Sequence, residues 1–375
     1  MYKNKFKIRK KWVMGLSNFF YGYDYDDEKN ENKKSIKIER KKQRKDNTFC
    51  NGNSQDNYIY SFNQNLCFIN SSIQCLFHLE IFRQWILSLN FGPDKTLLNA
   101  TKNLLLEMEN EKYPEKSNVK AIKEEIGKLD ERFQTNQQQD ASEFISFFIG
   151  KLLEETQGTK DINSLEKEIN ELNDLEKEGF NRLWKRFFLR KGKSYIVDLF
   201  YGILKVETRN KKDDRLESIR FNMFNILELP IYYLNKEYNS IYLETILKYN
   251  FSKKKDNDDD QTYDITTIYR LPKYLIVFLN RTVNKNFLNL KVLYKDTLDL
   301  TEYICSTSKN TEAKNNFNLC GIIEYHTYNS KYGHYTATCL CDNQWYLFND
   351  SYIEEENDIK SLDNAMIFFY ERESN

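Results

Sequence analysis

The sequence predicts an α+β protein in which a helical part precedes a β-rich part. From Tyr58 to about Arg190, apolar residues recur mainly at spacings of three and four, the period of amphipathic helices. From Tyr195 onward, short apolar and β-branched runs alternate with turn-forming residues, as strands do. The chain has 375 residues, of which 40% are hydrophobic and 15% aromatic, so it can bury a large core.

Composition and charge exclude several classes of protein. The formal net charge is zero, which argues against a nucleic-acid partner. We expect no membrane partner, because no apolar run is long enough to span a bilayer and no signal-peptide pattern opens the chain. The seven cysteines form no C-x-x-C pair, so we expect no metal or other cofactor. Their odd number, without a secretion signal, indicates reduced thiols in the cytoplasm or nucleus.

Residues 1–57 are predicted to be a charged, partly disordered tail. A basic stretch, an acidic stretch and a second basic stretch follow one another, and the last ends in the cluster Arg40–Lys45. A nuclear-import signal is the weaker interpretation of this cluster, because such runs are common. The folded domain is therefore expected to span residues 58–375, with a helical part at 58–190 and a β-rich part at 191–375.

The helical part is organised around Cys67. A polar, turn-like run, residues 63–65, stops just before it, and apolar residues then follow at helical spacing: Phe68, Ile69, Ile73, Leu76 and Phe77. This pattern places Cys67 in the first turn of a buried helix, where free backbone N–H groups and the helix dipole stabilise a thiolate. A structural thiol is the alternative, because free cysteine is often buried.

Further helices are expected after it. Apolar residues at helical spacing indicate helices around 104–108, 119–129 and 165–187. Asp140 is a plausible N-cap of a helix that runs to Leu153, with Glu143 three residues later.

The β-rich part is expected to contain a sheet and two surface loops. The runs with strand character are 196–204, 224–233, 275–279, 318–325, 335–340, 344–348 and 365–370. Charged or polar stretches at 252–260 and 309–316 read as loops.

A cysteine hydrolase needs a thiolate, a histidine, a group that orients the imidazole and donors for the oxyanion. Of the three histidines, His334 is the best base candidate, because Gly333 lets a backbone or substrate approach it. Pairing of the strands on either side would bring Asn349 or Asp350 back towards it. His326 lacks both features, and His78 lies about three turns beyond Cys67, where core packing is the better interpretation.

The same segments resemble the ubiquitin-specific protease family of deubiquitinating cysteine peptidases. The resemblance covers about residues 58 to 373 and keeps the order of the family's motifs. They are 65–71 (NLCFINS), 138–144 (QQDASEF), 271–281, 333–337 (GHYTA), 345–351 and 367–371.

The resemblance implies a papain-like cysteine peptidase fold with a helical thumb, a β-rich palm and fingers. The reaction would be hydrolysis of the (iso)peptide bond after the C-terminal glycine of ubiquitin. Cys67 would be the nucleophile, His334 the general base and then acid, and Asn349 the orienting group, with Asp350 as its neighbour or substitute. Asp140 and Glu143 would bind arginines of the ubiquitin tail, and Gln139, Gly333 and Tyr335 would hold that tail in the cleft.

Two departures from the family pattern bear on activity. The family's oxyanion-stabilising Asn stands five residues before the cysteine, where this chain has Phe62; Asn63, one place off, is the candidate substitute. Gln64 replaces the family's Gly. Between Gly202 and Arg270 there is no cysteine, so a short, zinc-free fingers region is expected.

Three functions remain open at this point. The first is an active deubiquitinase. The second, suggested by Phe62 and Gln64, is a weakly active or inactive member that acts as a ubiquitin-binding or assembly module. The third is a protease for a ubiquitin-like modifier, which uses the same chemistry.

Overall fold

The computed structural model describes most of the chain from Asn65 onward. The described residues are 65–109, 116–156, 172–191, 194–231, 240–252, 254–257, 261–283, 286–288, 290–306, 314–327, 333–350, 352–357, 359 and 363–374. The tail predicted at 1–57, and the candidate residue Asn63 with its neighbours Phe62 and Gln64, lie outside this part of the chain.

The helices concentrate before residue 200. Within the described ranges they are α1 (Cys67–His78), α2 (Glu80–Ser88), α3 (Thr96–Glu109), α4 (Lys116–Gly127), α5 (Ala141–Glu155), α6 (Asp174–Lys191), α7 (Tyr195–Phe200) and α8 (Leu243–Ser252). Asp140 is the N-cap of α5, as predicted: its carboxylate accepts from the backbone N–H groups of Ser142 and Glu143. None of the described helices combines the length and the apolar character needed to cross a bilayer.

The strands concentrate after residue 200. Those described are β1 (Gly202–Asn210), β2 (Leu216–Phe224), β3 (Leu227–Pro230), β4 (Ser240–Tyr242), β5 (Lys255–Asp256), β6 (Thr262–Arg270), β7 (Tyr274–Asn280), β8 (Thr282–Val283), β9 (Asn286–Phe287), β10 (Lys291–Leu293), β11 (Thr297–Asp299), β12 (Asn316–Thr327), β13 (Gly333–Cys341), β14 (Gln344–Asn349), β15 (Tyr352–Glu356) and β16 (Ala365–Arg372). The described helices thus mostly precede the described strands, as expected for the predicted α+β fold.

The largest sheet has the strand order β15-β14-β13-β12-β16-β7-β3, with β11 paired to β12. Helix α1 packs against β12 and β13, and its five predicted core residues, Phe68, Ile69, Ile73, Leu76 and Phe77, are each at most 2% exposed. Helix α1 and strand β12 approach each other closely at Gly321, where a Cβ would lie 3.3 Å from the sulfur of Cys75. The helix that begins at Cys67 is therefore fixed on the strand that begins at Gly333.

A second sheet, with the order β2-β1-β6-β5, forms the region predicted as fingers. Helix α6 packs on it through a cluster of three aromatic rings, Phe180, Phe221 and Tyr269, of which Phe221 meets the other two edge to face. The buried ammonium of Lys205 lies 2.7 Å from Glu176 of the same helix. No group of three or more His, Cys, Asp or Glu among the described residues could hold a metal ion.

One predicted strand is wrong in its first half. Residues 196–204 read as a single β-rich run, but residues 195–200 form α7 and the strand starts only at Gly202. The hydroxyl of Ser194 accepts a hydrogen bond from the backbone N–H of Ile196 and so caps the helix. Ile196, Val197, Leu199 and Phe200 are all buried in this conformation. Tertiary burial and the cap therefore outweigh the strand preference of these residues.

Candidate active site

Cys67 is the first residue of α1 and is 6% exposed. Burial raises the pKa of Cys67 to about 11, although hydrogen bonds from the backbone of Tyr335, Phe68 and Cys67 itself favour the thiolate. The negative charge of Asp350 raises this pKa further. The amide groups of the helix terminus thus do act as the sequence predicts, but desolvation is the larger effect. The sulfur remains a thiol at neutral pH unless a neighbouring base accepts its proton.

His334 of β13 lies against the end of β14. Its Nε2 is 2.7 Å from Oδ1 of Asn349. With Asn349 accepting, Nε2 carries the hydrogen and Nδ1 keeps the lone pair that can take a proton. The predicted pairing of His334 with the 349–350 corner is confirmed, and Asn349 is the closer partner.

A tight hairpin brings these two side chains together. Cys341 pairs with Gln344, so the loop between β13 and β14 contains only Asp342 and Asn343. Both have positive φ, 51° and 65°, as a type I′ turn requires. Because a two-residue turn fixes the register, Ala337 pairs with Phe348 and the next residue of β14, Asn349, reaches His334.

Asp350 connects this corner to the cysteine helix. Its Oδ1 accepts from Nδ2 of Asn70 at 2.9 Å, and its Oδ2 lies 3.8 Å from Nε2 of His334. Its φ of 48° is in the left-handed region that aspartate tolerates better than most residues. Asn70 follows Cys67 by one helical turn, so a single hydrogen bond ties α1 to the strand end that holds His334.

Three of the residues predicted to bind the arginine-bearing substrate tail, Gln139, Asp140 and Glu143, lie at the N-terminus of α5. Asp140 is engaged by the helix cap described above. The carboxylate of Glu143 lies 2.9 Å from Nη1 of Arg132, with both side chains about half exposed. Gln139 donates from Nε2 to the backbone oxygen of Arg132 at 3.1 Å. An arginine of this chain therefore already occupies the carboxylate predicted to receive an arginine of the substrate.

Gly333 and Tyr335 flank His334 on β13. A Cβ on Gly333 would lie 2.3 Å from the ring of Tyr325, so the group that approaches this glycine is an aromatic side chain of the protein itself. Tyr335 is 6% exposed as a whole residue, and its ring packs on Tyr325 with 4.6 Å between centroids. Its side chain is therefore part of the protein core.

The other two histidines have structural environments. Nδ1 of His78 lies 2.7 Å from the backbone oxygen of Gln74, and its ring packs 5.1 Å from that of Phe348, as expected for a core residue. Nε2 of His326 lies 3.0 Å from the Thr336 hydroxyl. Burial lowers the pKa of His326 to about 4.

The sequence profile described as ubiquitin carboxyl-terminal hydrolase matches residues 62–370. The chain belongs to this family. The match covers the cysteine helix, the N-terminus of α5 and the His334–Asn349 hairpin in one continuous domain, and it confirms the resemblance to the ubiquitin-specific proteases.

Several members of the family with curated names are similar to the chain. It is 26% identical to ubiquitin carboxyl-terminal hydrolase Usp2 of Drosophila melanogaster over 331 residues, which cover 82% of the chain and 34% of that protein. It is 25% identical to human ubiquitin carboxyl-terminal hydrolase 21 over 347 residues, 81% of the chain and 60% of that protein. The chain thus spans between a third and three fifths of the length of these relatives.

Solved structures of the family share the fold. A SAGA DUB module of Ubp8, Sgf11, Sus1 and Sgf73 bound to monoubiquitin matches with a TM-score of 0.61 at 20% identity, over 83% of the chain and 67% of the solved chain. The same module bound to ubiquitin aldehyde matches with a TM-score of 0.59 at 19% identity, over 83% and 68%. The predicted papain-like α+β fold is confirmed.

Three residues with direct links to this site were not predicted from the sequence. Asn70 holds Asp350, Arg132 holds Glu143, and the side chain of Gln138 bonds to the backbone of Gly333. Asn70 and Gln138 lie inside the motifs that carry the family resemblance, so their positions were visible. Their partners, 280 and 195 residues away along the chain, were not.

Proposed function

We propose that the chain is a deubiquitinating cysteine protease that hydrolyses the (iso)peptide bond after the C-terminal glycine of ubiquitin. The observation that carries this proposal is the 2.7 Å hydrogen bond between His334 and Asn349. His334 lies on β13, the strand against which the helix that begins at Cys67 packs. A thiol at a helix N-terminus, a histidine with a fixed tautomer and membership of this family together favour acyl transfer over other thiol chemistry.

The reaction proceeds in two steps. Nδ1 of His334 takes the proton of Cys67 as the sulfur attacks the carbonyl carbon after the last glycine, which forms a tetrahedral oxyanion. The intermediate collapses to a thioester, and the imidazolium gives its proton to the departing lysine or α-amine. Water, deprotonated by His334, then attacks the thioester and regenerates the thiol. Because burial disfavours the free thiolate, His334 is needed at the moment of attack and not only for turnover.

The remaining roles at the reacting centre follow the same scheme. Asn349 holds the His334 tautomer, and Asp350 stabilises the imidazolium at longer range. The backbone N–H of Cys67 donates to the oxyanion. Asn63 is proposed as the side-chain donor in place of the residue replaced by Phe62; loss of one such donor costs roughly a hundred- to a thousand-fold in turnover.

The substrate tail is proposed to lie between α5 and β13. Asp140 and Glu143 attract its arginines, and Gln139 and the backbone of Gly333 and Tyr335 keep it extended. The half-exposed carboxylate of Glu143 can exchange Arg132 for an arginine of the substrate at small cost.

We propose residues 58–375 as the catalytic domain, preceded by a charged tail. We place the protein in the cytoplasm or nucleus, because all six cysteines within the described residues are free thiols.

Phe62, which stands where the family has its oxyanion-stabilising Asn, supports a second candidate function. Without the usual oxyanion donor, the chain could bind ubiquitin or assemble with other proteins while turning over slowly. A protease for a ubiquitin-like modifier would differ in which tail it accepts.

The test is reaction of the purified chain with ubiquitin that carries an electrophile at its C-terminus, followed by mass mapping. We expect an adduct on Cys67 that is absent from Cys67→Ala and much slower in His334→Ala, while Cys67→Ala still binds ubiquitin. Binding of ubiquitin without an adduct on Cys67 would favour the binding module. An adduct only with a ubiquitin-like probe would favour the third function.

A further inference from the structure

The side chain of Gln138 forms two hydrogen bonds to one residue on the opposite side of the site. Its Nε2 donates to the backbone oxygen of Gly333, and its Oε1 accepts from the Gly333 backbone N–H at 3.0 Å. A primary amide offers a donor and an acceptor in the same geometry as a peptide group. The pair therefore fixes both the position and the orientation of the residue immediately before His334.

The start of α5 also faces this strand. Burial raises the pKa of the Tyr335 hydroxyl, and the backbone N–H of Ala141, the first residue of α5, has a smaller effect that lowers it. His334 thus lies between Gly333, which is bonded to Gln138, and Tyr335, whose hydroxyl faces the first residue of α5.

The segment before α5 is also attached to the turn that leads into Cys67. Asn65, whose φ of 44° is left-handed, donates from Nδ2 to the backbone oxygen of Asn136 at 2.6 Å. Lys123 of α4 donates to the Asn136 side chain at 3.0 Å and so anchors the segment to the helical part. Residues 136–138 therefore connect the turn before Cys67 to the start of the strand that carries His334.

We infer that Gln138 is a positioning residue that holds His334 at its working distance from Cys67. The expected effect on turnover rests on the proposed function. Gln138 acts through the backbone of Gly333. Its loss would leave two backbone groups without their side-chain partner and let the end of β13 move relative to α5. A misplacement of about 1 Å at a reacting centre costs roughly a hundred-fold in rate.

The test compares Gln138→Ala, Gln138→Glu and Gln138→Asn with wild type. Glutamate keeps the volume and one acceptor but replaces the donor with a negative oxygen beside the Gly333 carbonyl, and asparagine is one methylene too short. The matched control is Gln134→Ala, because Gln134 also donates to a glycine carbonyl, that of Gly127 at 2.9 Å, but within the helical part.

Two measurements separate positioning from binding. With a fluorogenic amide of the ubiquitin C-terminus, we expect kcat of the Gln138 variants to fall about 10- to 100-fold while KM stays within about twofold. With iodoacetamide, which needs no ubiquitin, we expect the pH profile of Cys67 alkylation to move towards that of His334→Ala. Gln134→Ala should match wild type in both.

The outcomes are decisive in either direction. A raised KM with wild-type kcat and a wild-type alkylation profile would show that Gln138 contacts substrate and would overturn the inference, as would wild-type behaviour of all three variants. If wild type forms no adduct and no product with ubiquitin, the proposed function fails, and the alkylation profiles still decide the role of Gln138. Gln138→Glu, with its unchanged volume, carries the test if Gln138→Ala does not fold.

Discussion

Glu143 is predicted to bind an arginine of the substrate, and in the structure Arg132 is already there. Arg132 is itself held by Asp130, which accepts from its Nε at 2.9 Å and from its Nη2 at 2.7 Å. The carboxylates of Asp130 and Glu143 raise the pKa of Arg132 above its usual value, so Arg132 stays charged at every physiological pH. An incoming arginine must therefore share or replace an intramolecular partner.

Arg132→Ala is expected to strengthen ubiquitin binding. An exposed ion pair is weak, so removal of the competing arginine should lower KM by about two- to five-fold with kcat unchanged. The measurement is steady-state kinetics with a ubiquitin C-terminal substrate at low and moderate salt, since screening should shrink the effect.

Arg182→Ala is the control for this variant, because Arg182 forms a comparably exposed pair with Glu178 elsewhere in the helical part. A higher KM for Arg132→Ala would mean that Arg132 orients Glu143 for the substrate or touches ubiquitin itself, and the competition argument would be wrong.

The chemistry-bearing residues were readable from the sequence because each stands in a distinctive local pattern. Cys67 follows a polar turn and opens an apolar helix, and His334 follows a glycine on a strand. Their distant partners were not readable. Neither Arg132 nor Gln138 has a local pattern that names its partner, since both pairings depend on where the turn before α5 lies in the fold.

Helix α1 and the β13–β14 hairpin are joined at the site by the Asn70–Asp350 hydrogen bond. The helix carries Cys67 and the hairpin carries His334, and Asn70 donates to a carboxylate whose backbone is already in the less common left-handed conformation. The contact is partly buried, which gives it more weight than a surface pair.

Exchange of the two side chains tests whether this bond aligns the two elements. Asn70→Asp places two carboxylates together, and Asp350→Asn removes the charge near His334, so each should lower kcat at least about ten-fold. The double variant restores the bond with its direction reversed and should recover much of kcat, with a coupling energy of about 1–3 kcal/mol. Steady-state kinetics and thermal melting of the four proteins measure it.

Asn99→Asp serves as the control, because Asn99 also donates from a helix but only to the backbone oxygens of Gly92 and Lys95. Strictly additive effects of Asn70→Asp and Asp350→Asn would show that the bond does not couple the helix to the hairpin.

Helices and strands were predictable where one signal dominated. The Asp140 cap and the 3.6-residue period agreed for α5, and the apolar run at 275–279 agreed with β7. Two sequence signals conflict at residues 195–200. The β-branched run favours a strand, whereas the serine before it favours the start of a helix. Periodicity alone does not separate a short buried strand from a short buried helix, and there the tertiary contacts decided.

For the whole molecule, the order of the helical and β-rich parts could be predicted from the spacing of apolar residues. The order of the strands within the large sheet could not. Strand β16, the last in the chain, lies between β12 and β7, and β3 joins β7 in parallel. These long-range pairings put residues such as Glu324 in the middle of the sheet, where the sequence gives no hint of an unusual environment.

Glu324 should make the stability of the fold depend on pH. It is 5% exposed, and burial raises its pKa to about 7, with Glu356 and Asp363 adding to the effect against a hydrogen bond from the Asn364 backbone. The nearest histidine, His326, lies 4.0 Å away and is neutral at pH 7, because burial lowers its pKa to about 4. Within the described residues, the ionised carboxylate of Glu324 therefore has no cationic partner.

The direction of the effect follows from the raised pKa. The folded protein binds this proton more tightly than the unfolded chain, whose ordinary value is 4.5. The resulting stabilisation is complete below that value and is lost as the pH rises through about 7. Glu324→Gln should leave the free energy of unfolding nearly unchanged at acidic pH and raise it at alkaline pH by up to about 3 kcal/mol.

Urea denaturation at about pH 5 and about pH 8.5 measures the difference, with Glu131→Gln as the control, because Glu131 is exposed. The midpoint and slope of each denaturation curve give the free energy of unfolding at that pH. An equal shift of both variants, or a larger gain for Glu324→Gln at the acidic pH, would show that the buried carboxylate is not the group that titrates. A gain confined to alkaline pH would place the proton on Glu324 in the folded protein below about pH 7. Glu324 lies on β12, the strand paired directly with β13, which carries His334.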